Sequence, residues 1–266
     1  MNTRRSEPVR FASSTGPQLA GVIDHPVGPV RGWGVFVHGF TLGKDSPAAA
    51  RTCRQLAAKG IGMLRFDALG LGESEGDWGD GSFTVKVADT LRAVEVMAER
   101  ASSPVLLAGH SWGGAAAIVA GRRHPAVGAV ATVAAPSDPR HVQKHFAPLL
   151  DRVLAEGEAS WTVGGRTLRL TRQFVDDVRR ARVLDSVTAL DRPLLVLHSP
   201  VDETVDIEHA GRIFGAAHHP RSFVSLEEAD HLLTRPGRAQ RAAKVISAWA
   251  GPYLAAAVAR RELATA

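Results

Sequence analysis

A single cysteine stands in 266 residues, no apolar run is long enough to cross a bilayer, and there are no repeats or low-complexity tracts. One cysteine, Cys53, excludes an internal disulfide and fits a reducing compartment. Its place in a predicted amphipathic helix points to a buried, inert thiol. The segment Met1-Asn2-Thr3-Arg4-Arg5-Ser6-Glu7-Pro8 has charge but no apolar region behind it, so no secretory signal is expected and the setting reads as cytoplasmic. Also missing is any dense basic run or aromatic-interleaved basic patch. The formal charge of +5 therefore reads as a solvated, arginine-rich surface, and neither nucleic acid nor membrane is expected as a partner.

What is present is enough apolar residue, 45%, for one large α/β domain spanning residues 1–266. Val9 to Ala12 and Gln18 to His25 read as an antiparallel edge hairpin about Gly16-Pro17. Trp33 to Val37, Gly62 to Phe66, Val105 to Ala108 (opened by Pro104), Val127 to Ala134, Leu194 to His198 and Ser222 to Leu226 read as further strands. Helices are predicted from Pro47, capped by Ser46, to about Lys59, and from Phe83 to Arg100. Others follow Ser111, span Ile207 to Gly215, and close the chain from Ala239 to Val258, with a break allowed at Gly251-Pro252. Such alternation predicts a doubly wound, mainly parallel sheet with its site at the C-terminal ends of the strands.

Residues 137–190 break the alternation. Pro139 to Ala155 carries a helical stripe of Val142, Phe146, Leu149, Leu150 and Val153. Trp161 to Leu168 reads as a hairpin about Gly164-Gly165, and Thr171 to Ala181 as a helix. Leaving from the site edge of the sheet, this helix–hairpin–helix insertion is expected to cap the site. Packing on a side face is the alternative.

Gly109-His110-Ser111-Trp112-Gly113 has the form G-x-S-x-G between the apolar run Val105-Leu106-Leu107-Ala108 and a small-residue helix. At such a strand-to-helix corner the serine takes a strained backbone conformation, and its glycines leave room for neighbouring main chain. The hydroxyl stands clear of the sheet, over the positive end of the helix dipole.

A serine hydroxyl needs a base to take its proton and a carboxylate to orient that base. Eleven histidines compete, so position decides. His124, His218 and His219 precede strands, at the wrong edge of the sheet. His25 lies in the hairpin and His209 in a helix. His110 is turned away from Ser111 by alternation. His38 and His198 end strands near the site, but His38 belongs to the loop expected to bind the oxyanion. His141 and His145 have a spacing that could suit a metal, yet no ligand-pattern carboxylate supports one, and they read as cap packing. His231 lies on the loop after the last strand and can reach the central serine. Asp202 lies just beyond the preceding strand and completes the chain order serine, acid, base. Asp206 is better placed to cap the next helix, and Asp230 to shape the His231 turn. The backbone N–H groups of Phe40 and Trp112 are the expected oxyanion donors, with His38 bracing their loop. Asp67-Ala68-Leu69-Gly70-Leu71-Gly72 misses the spacing of nucleotide loops and reads as a structural turn.

These features resemble the α/β-hydrolase superfamily over nearly the whole chain. A closer likeness is to bacterial hydrolases whose homologues are often fused to a C-terminal OsmC-like domain. It is carried by His38-Gly39-Phe40-Thr41 with Gly43-Lys44-Asp45-Ser46, by Arg65-Phe66-Asp67 with Gly70-Leu71-Gly72-Glu73-Ser74-Glu75-Gly76, and by Gly109-His110-Ser111-Trp112-Gly113-Gly114. Leu197-His198-Ser199-Pro200-Val201-Asp202 and Ala229-Asp230-His231-Leu232-Leu233-Thr234 complete it. This chain ends soon after its closing helix, so no redox role is carried over from the fused relatives. The resemblance implies a serine esterase of carboxylesterase type acting on small acyl esters, with no metal or organic cofactor. The same three residues also serve thioesterases, amidases and cofactor-free perhydrolases, which stay open, while serine at position 111 disfavours a haloalkane dehalogenase. From another class, a non-catalytic ligand-binding protein on this fold is the remaining alternative.

Overall fold

A computed structural model describes residues 5–101 and 105–264; Pro104, at the expected start of a strand, lies outside the described residues. Strands β1 (Ser6–Ala12) and β2 (Gln18–Asp24) pair antiparallel without a register break. The hairpin starts earlier than its apolar pattern because Ser6 Oγ donates to Asp24 Oδ1 at 2.6 Å. Next come β3 (Gly32–Val37), α1 (Pro47–Ala57), β4 (Ile61–Phe66), α2 (Phe83–Arg100), β5 (Val105–His110), α3 (Trp112–Arg123) and β6 (Val127–Val133). Ser46 occupies the cap position of α1, but its side chain makes no capping bond; Pro47, with φ preset for a helix, opens the first turn.

Beyond β6 the chain leaves the sheet through a 3₁₀ helix (Pro139–Leu149), α4 (Leu150–Glu156), the hairpin β7 (Glu158–Val163) and β8 (Arg166–Thr171), α5 (Arg172–Arg180) and α6 (Val183–Thr188). The single helix expected from Pro139 to Ala155 is therefore two, with non-helical backbone at Phe146. Pro148 is the physical reason, since it has no N–H to donate and its ring crowds the residue before it. The chain returns through β9 (Leu194–His198), α7 (Ile207–Ala216), β10 (Arg221–Ser225) and α8 (Arg238–Ala264). No break occurs at Gly251-Pro252: α8 runs through, and beyond the proline the buried Leu254 seats against Gly32, where a Cβ would lie 2.7 Å from its Cδ1.

Among the described residues the main sheet has eight strands, ordered β1-β2-β4-β3-β5-β6-β9-β10, and within it β2 alone runs against the others. β5 is thus central, between β3 and β6. Alternation splits each parallel strand between two cores. Val35, Val37 and Leu107 face the layer of α2 and α3, while Phe36, Leu106 and Ala108 face α1 and α8. No described helix is long and apolar enough to cross a membrane.

The insertion divides between the two placements that its sequence allows. Its 3₁₀ helix and hairpin supply Val142, His145, Trp161 and Val163 to the wall of a cleft at the C-terminal ends of the strands. Arg166 also ties the hairpin to the Thr41 carbonyl at 2.7 Å. By contrast, α5 and α6 lie along the side of the domain against α2 and α3, where Asp177 accepts from the N–H and the hydroxyl of Thr84.

Candidate active site

Ser111 sits at the corner between β5 and α3 with φ +53° and ψ −129°, a conformation strained for any residue with a Cβ. Its N–H is held by the Val133 carbonyl at 2.8 Å. The flanking glycines are there because main chain crowds them. A Cβ on Gly109 would lie 2.4 Å from the Gly113 carbonyl oxygen, and one on Gly113 would lie 2.3 Å from those of Val37 and His38. The second approach brings the first turn of α3 against the loop that follows β3.

His231 arrives from the edge of the sheet. β10 is three strands from β5, or about 14 Å at the usual spacing. The six residues from Ser225 to His231 can span roughly 20 Å when extended, so the loop has the necessary reach. It places His231 Nε2 3.0 Å from Ser111 Oγ, where it can accept the hydroxyl hydrogen. On the other side of the ring, Nδ1–H donates to Asp202 Oδ2 at 2.8 Å. The remaining Asp202 oxygen accepts from the N–H groups of Thr204 and Val205, each at 2.9 Å. Burial opposes ionisation of this carboxyl, but the His231 bond and those two amides outweigh it and hold its pKa below the ordinary value.

The neighbouring acids do other work. Asp206 caps α7 by accepting from Glu208 N–H at 2.8 Å. Asp230 accepts from the Thr234 and Arg235 amides and the Thr234 hydroxyl; although burial opposes it, these bonds bring its pKa down to about 2. His198 lies 3.7 Å from Asp202, but its Nε2–H is given to the Val205 carbonyl at 2.8 Å.

Phe40 follows the His38-Gly39 bend and Trp112 opens α3. Neither N–H has an intramolecular acceptor among the described residues. His38 braces the bend from beneath, with Nδ1–H donating to the Gly39 carbonyl at 2.8 Å and Nε2 accepting from Ala68 N–H at 3.0 Å. Complete burial pushes its pKa well below the usual value, so the ring is neutral and its tautomer follows from the two bonds. The glycine-rich turn after β4 wraps a carboxylate: Asp67 accepts from Lys44 N–H, Lys44 Nζ and Glu73 N–H.

Ser111 and His231 open into a cleft of about 240 Å³ lined by Phe40, Leu42, His141, His145, Trp161 and Val205, among others. The Phe40 ring is its hub, with centroids of Trp112 at 5.2 Å, Trp161 at 5.7 Å and His145 at 6.2 Å. His141 and His145 therefore pack within the cap, as their sequence reading has it, and also face the cleft, which that reading missed. The signal was available, since both flank the apolar stripe of the cap helix and turn with it. His141 Nε2–H is spent on the Thr204 carbonyl at 2.7 Å. Among the described residues no cluster of three or more metal-ligating side chains occurs.

The model of the family described as serine aminopeptidase, S33, matches residues 28–168, more than half of the chain. No curated protein matches the chain significantly. Among solved structures, the esterase domain of a Rhodothermus marinus protein is 38% identical, with TM-score 0.75, over 94% of this chain and 99% of that one. Est1E from Butyrivibrio proteoclasticus, solved with bound ferulic acid, shares the fold at 19% identity and TM-score 0.75, over 93% of this chain and 99% of its own. GrgF, an alpha/beta hydrolase from Penicillium sp. sh18, shares it at 17% identity and TM-score 0.77, over 94% and 99%. The chain belongs to the serine aminopeptidase S33 family of the α/β-hydrolase superfamily.

Proposed function

We propose that this protein is a serine hydrolase of carboxylesterase type that cleaves small acyl esters. The observation that carries the reading is the hydrogen-bonded row Ser111 Oγ, His231 Nε2, His231 Nδ1 and Asp202 Oδ2, with steps of 3.0 and 2.8 Å, at the floor of the cleft. Ser111 Oγ attacks the ester carbonyl carbon as His231 Nε2 takes its proton. The carbonyl oxygen becomes an oxyanion held by the N–H groups of Phe40 and Trp112, which need no reorganisation. His231 then returns the proton to the departing alkoxide, leaving an acyl group on Ser111. Water, deprotonated by the same imidazole, releases the acid. Asp202 stays ionised and holds the ring orientation throughout. No metal or organic cofactor enters this scheme.

Two features favour a small acyl ester over a peptide. The cleft is below the usual size for a drug-like ligand, and its wall is mostly apolar. An aminopeptidase must also hold the free ammonium of its substrate, and no Asp or Glu lines the cleft among the described residues. The esterase-domain relative supports the same choice. A cytoplasmic setting belongs to the proposal, supported by the buried, unpaired thiol of Cys53.

Ser111→Ala tests it. Turnover of a short-chain p-nitrophenyl ester should fall about 10⁴-fold or more with the melting temperature preserved. Near-normal turnover would overturn the assignment.

A further inference from the structure

His110 occupies the space between the two loops that this chemistry must hold in register. It ends β5, its side chain is fully buried, and its Nε2 lies 2.7 Å from the main-chain oxygen of His231. A carbonyl only accepts, so Nε2 carries the hydrogen. Nδ1 is buried with no hydrogen-bond partner, which matches a neutral ring; burial pushes the pKa down to about 3. The same Nδ1 edge abuts the bend after β3, where a Cβ on Gly39 would lie 3.2 Å from it.

The Asp202 bond orients the His231 ring but does not hold its main chain. That main chain is irregular, with left-handed backbone at Glu228 (φ +59°) and Leu233 (φ +54°) on either side. Its upstream end is anchored by Leu226 N–H on the His198 carbonyl at 2.7 Å, and its downstream end by the Asp230 carboxylate. Between those anchors, His110 ties the loop to the central strand. Ser111 is the next residue after His110, so hydroxyl and tether share one rigid corner.

We infer that His110 is a positioning residue: by holding the His231 carbonyl, its Nε2–H sets the distance between the His231 imidazole and the Ser111 hydroxyl. The inference rests on the roles proposed for Ser111 and His231, and its test separates the two. Wild-type labelling by a fluorophosphonate, lost in Ser111→Ala, addresses those roles alone; absence of labelling in the wild type overturns them.

With labelling in hand, His110→Leu removes the donor at similar volume. Its kcat should fall roughly 10- to 100-fold while KM changes less than about threefold. His110→Gln restores an N–H at similar reach and should recover most of that loss. Full activity in the leucine variant overturns the inference, and so does a loss that glutamine fails to recover. Should neither variant fold, the wild type decides. Long-range ¹H–¹⁵N spectra of histidine-labelled protein must show His110 as the Nε2–H tautomer, untitrated down to about pH 5. An Nδ1–H tautomer or a titrating ring overturns it.

Discussion

The Lys86 ammonium lies 5.9 Å from the centre of the Trp112 ring, beside a small cavity that His38 and Asp89 also line. Burial brings its pKa down to about 7, against the attraction of Asp89 and Asp67. The unfolded chain keeps this proton to about pH 10.5, whereas the folded protein releases it near 7. Between those values the unfolded state binds more protons, so folding stability rises with pH across that window and is lowest below it. Lys86→Met should therefore raise the melting temperature most at about pH 6, with the gain shrinking towards pH 10. A gain independent of pH would show that burial leaves the pKa of this lysine where the unfolded chain has it.

Asp202→Asn keeps an acceptor for the Thr204 and Val205 amides but removes the charge that orients His231 Nδ1–H. The fold should persist while kcat for a chromogenic ester falls on the order of 10³- to 10⁴-fold. Steady-state kinetics beside a thermal melt check both halves.

Gly113 and Gly211 should respond in opposite directions to alanine. At Gly113 the new methyl would meet the Val37 and His38 carbonyls at 2.3 Å, forcing α3 away from the Phe40 loop. Gly113→Ala should lose kcat at least about tenfold and destabilise the fold by roughly 1–3 kcal/mol. Gly211, inside α7, has nothing within 4 Å of its would-be Cβ. Gly211→Ala should stabilise by up to about 1 kcal/mol with unchanged turnover. Denaturant melts of the pair give the comparison.

Trp161 closes the cap side of the cleft by stacking on Phe40. Trp161→Ala should widen the cleft and shift the kcat/KM optimum towards longer acyl chains. A series of p-nitrophenyl esters from acetate to decanoate measures the shift, and an unmoved optimum would place the acyl group elsewhere.

Buried apolar runs and the helical stripes between them made the strands, the mainly parallel sheet and the Ser111 corner legible in the sequence; the order of the strands was not. The placement of His231 and Asp202 followed from the rule that loops at one sheet edge converge. Backbone detail was less accessible: Pro148 splits the first cap helix, Pro252 leaves α8 intact, and α6 carries no strong pattern of its own. Alternation set His110 aside as a partner of Ser111, yet it could not name the acceptor, because a period describes a face and not a partner 121 residues away. The gathering of Trp112, Trp161 and Phe174 around the Phe40 ring is likewise a property of the folded chain.

Among the described residues β10 bonds to a neighbour on one flank only, through β9. The imidazole is thus delivered by the part of the sheet with least support, while the hydroxyl comes from its middle. On warming, outward fraying of that border would separate the two while the interior stays intact. Activity should then fade several degrees before the cooperative melt, an early failure that binding of a substrate-like inhibitor across both loops would delay.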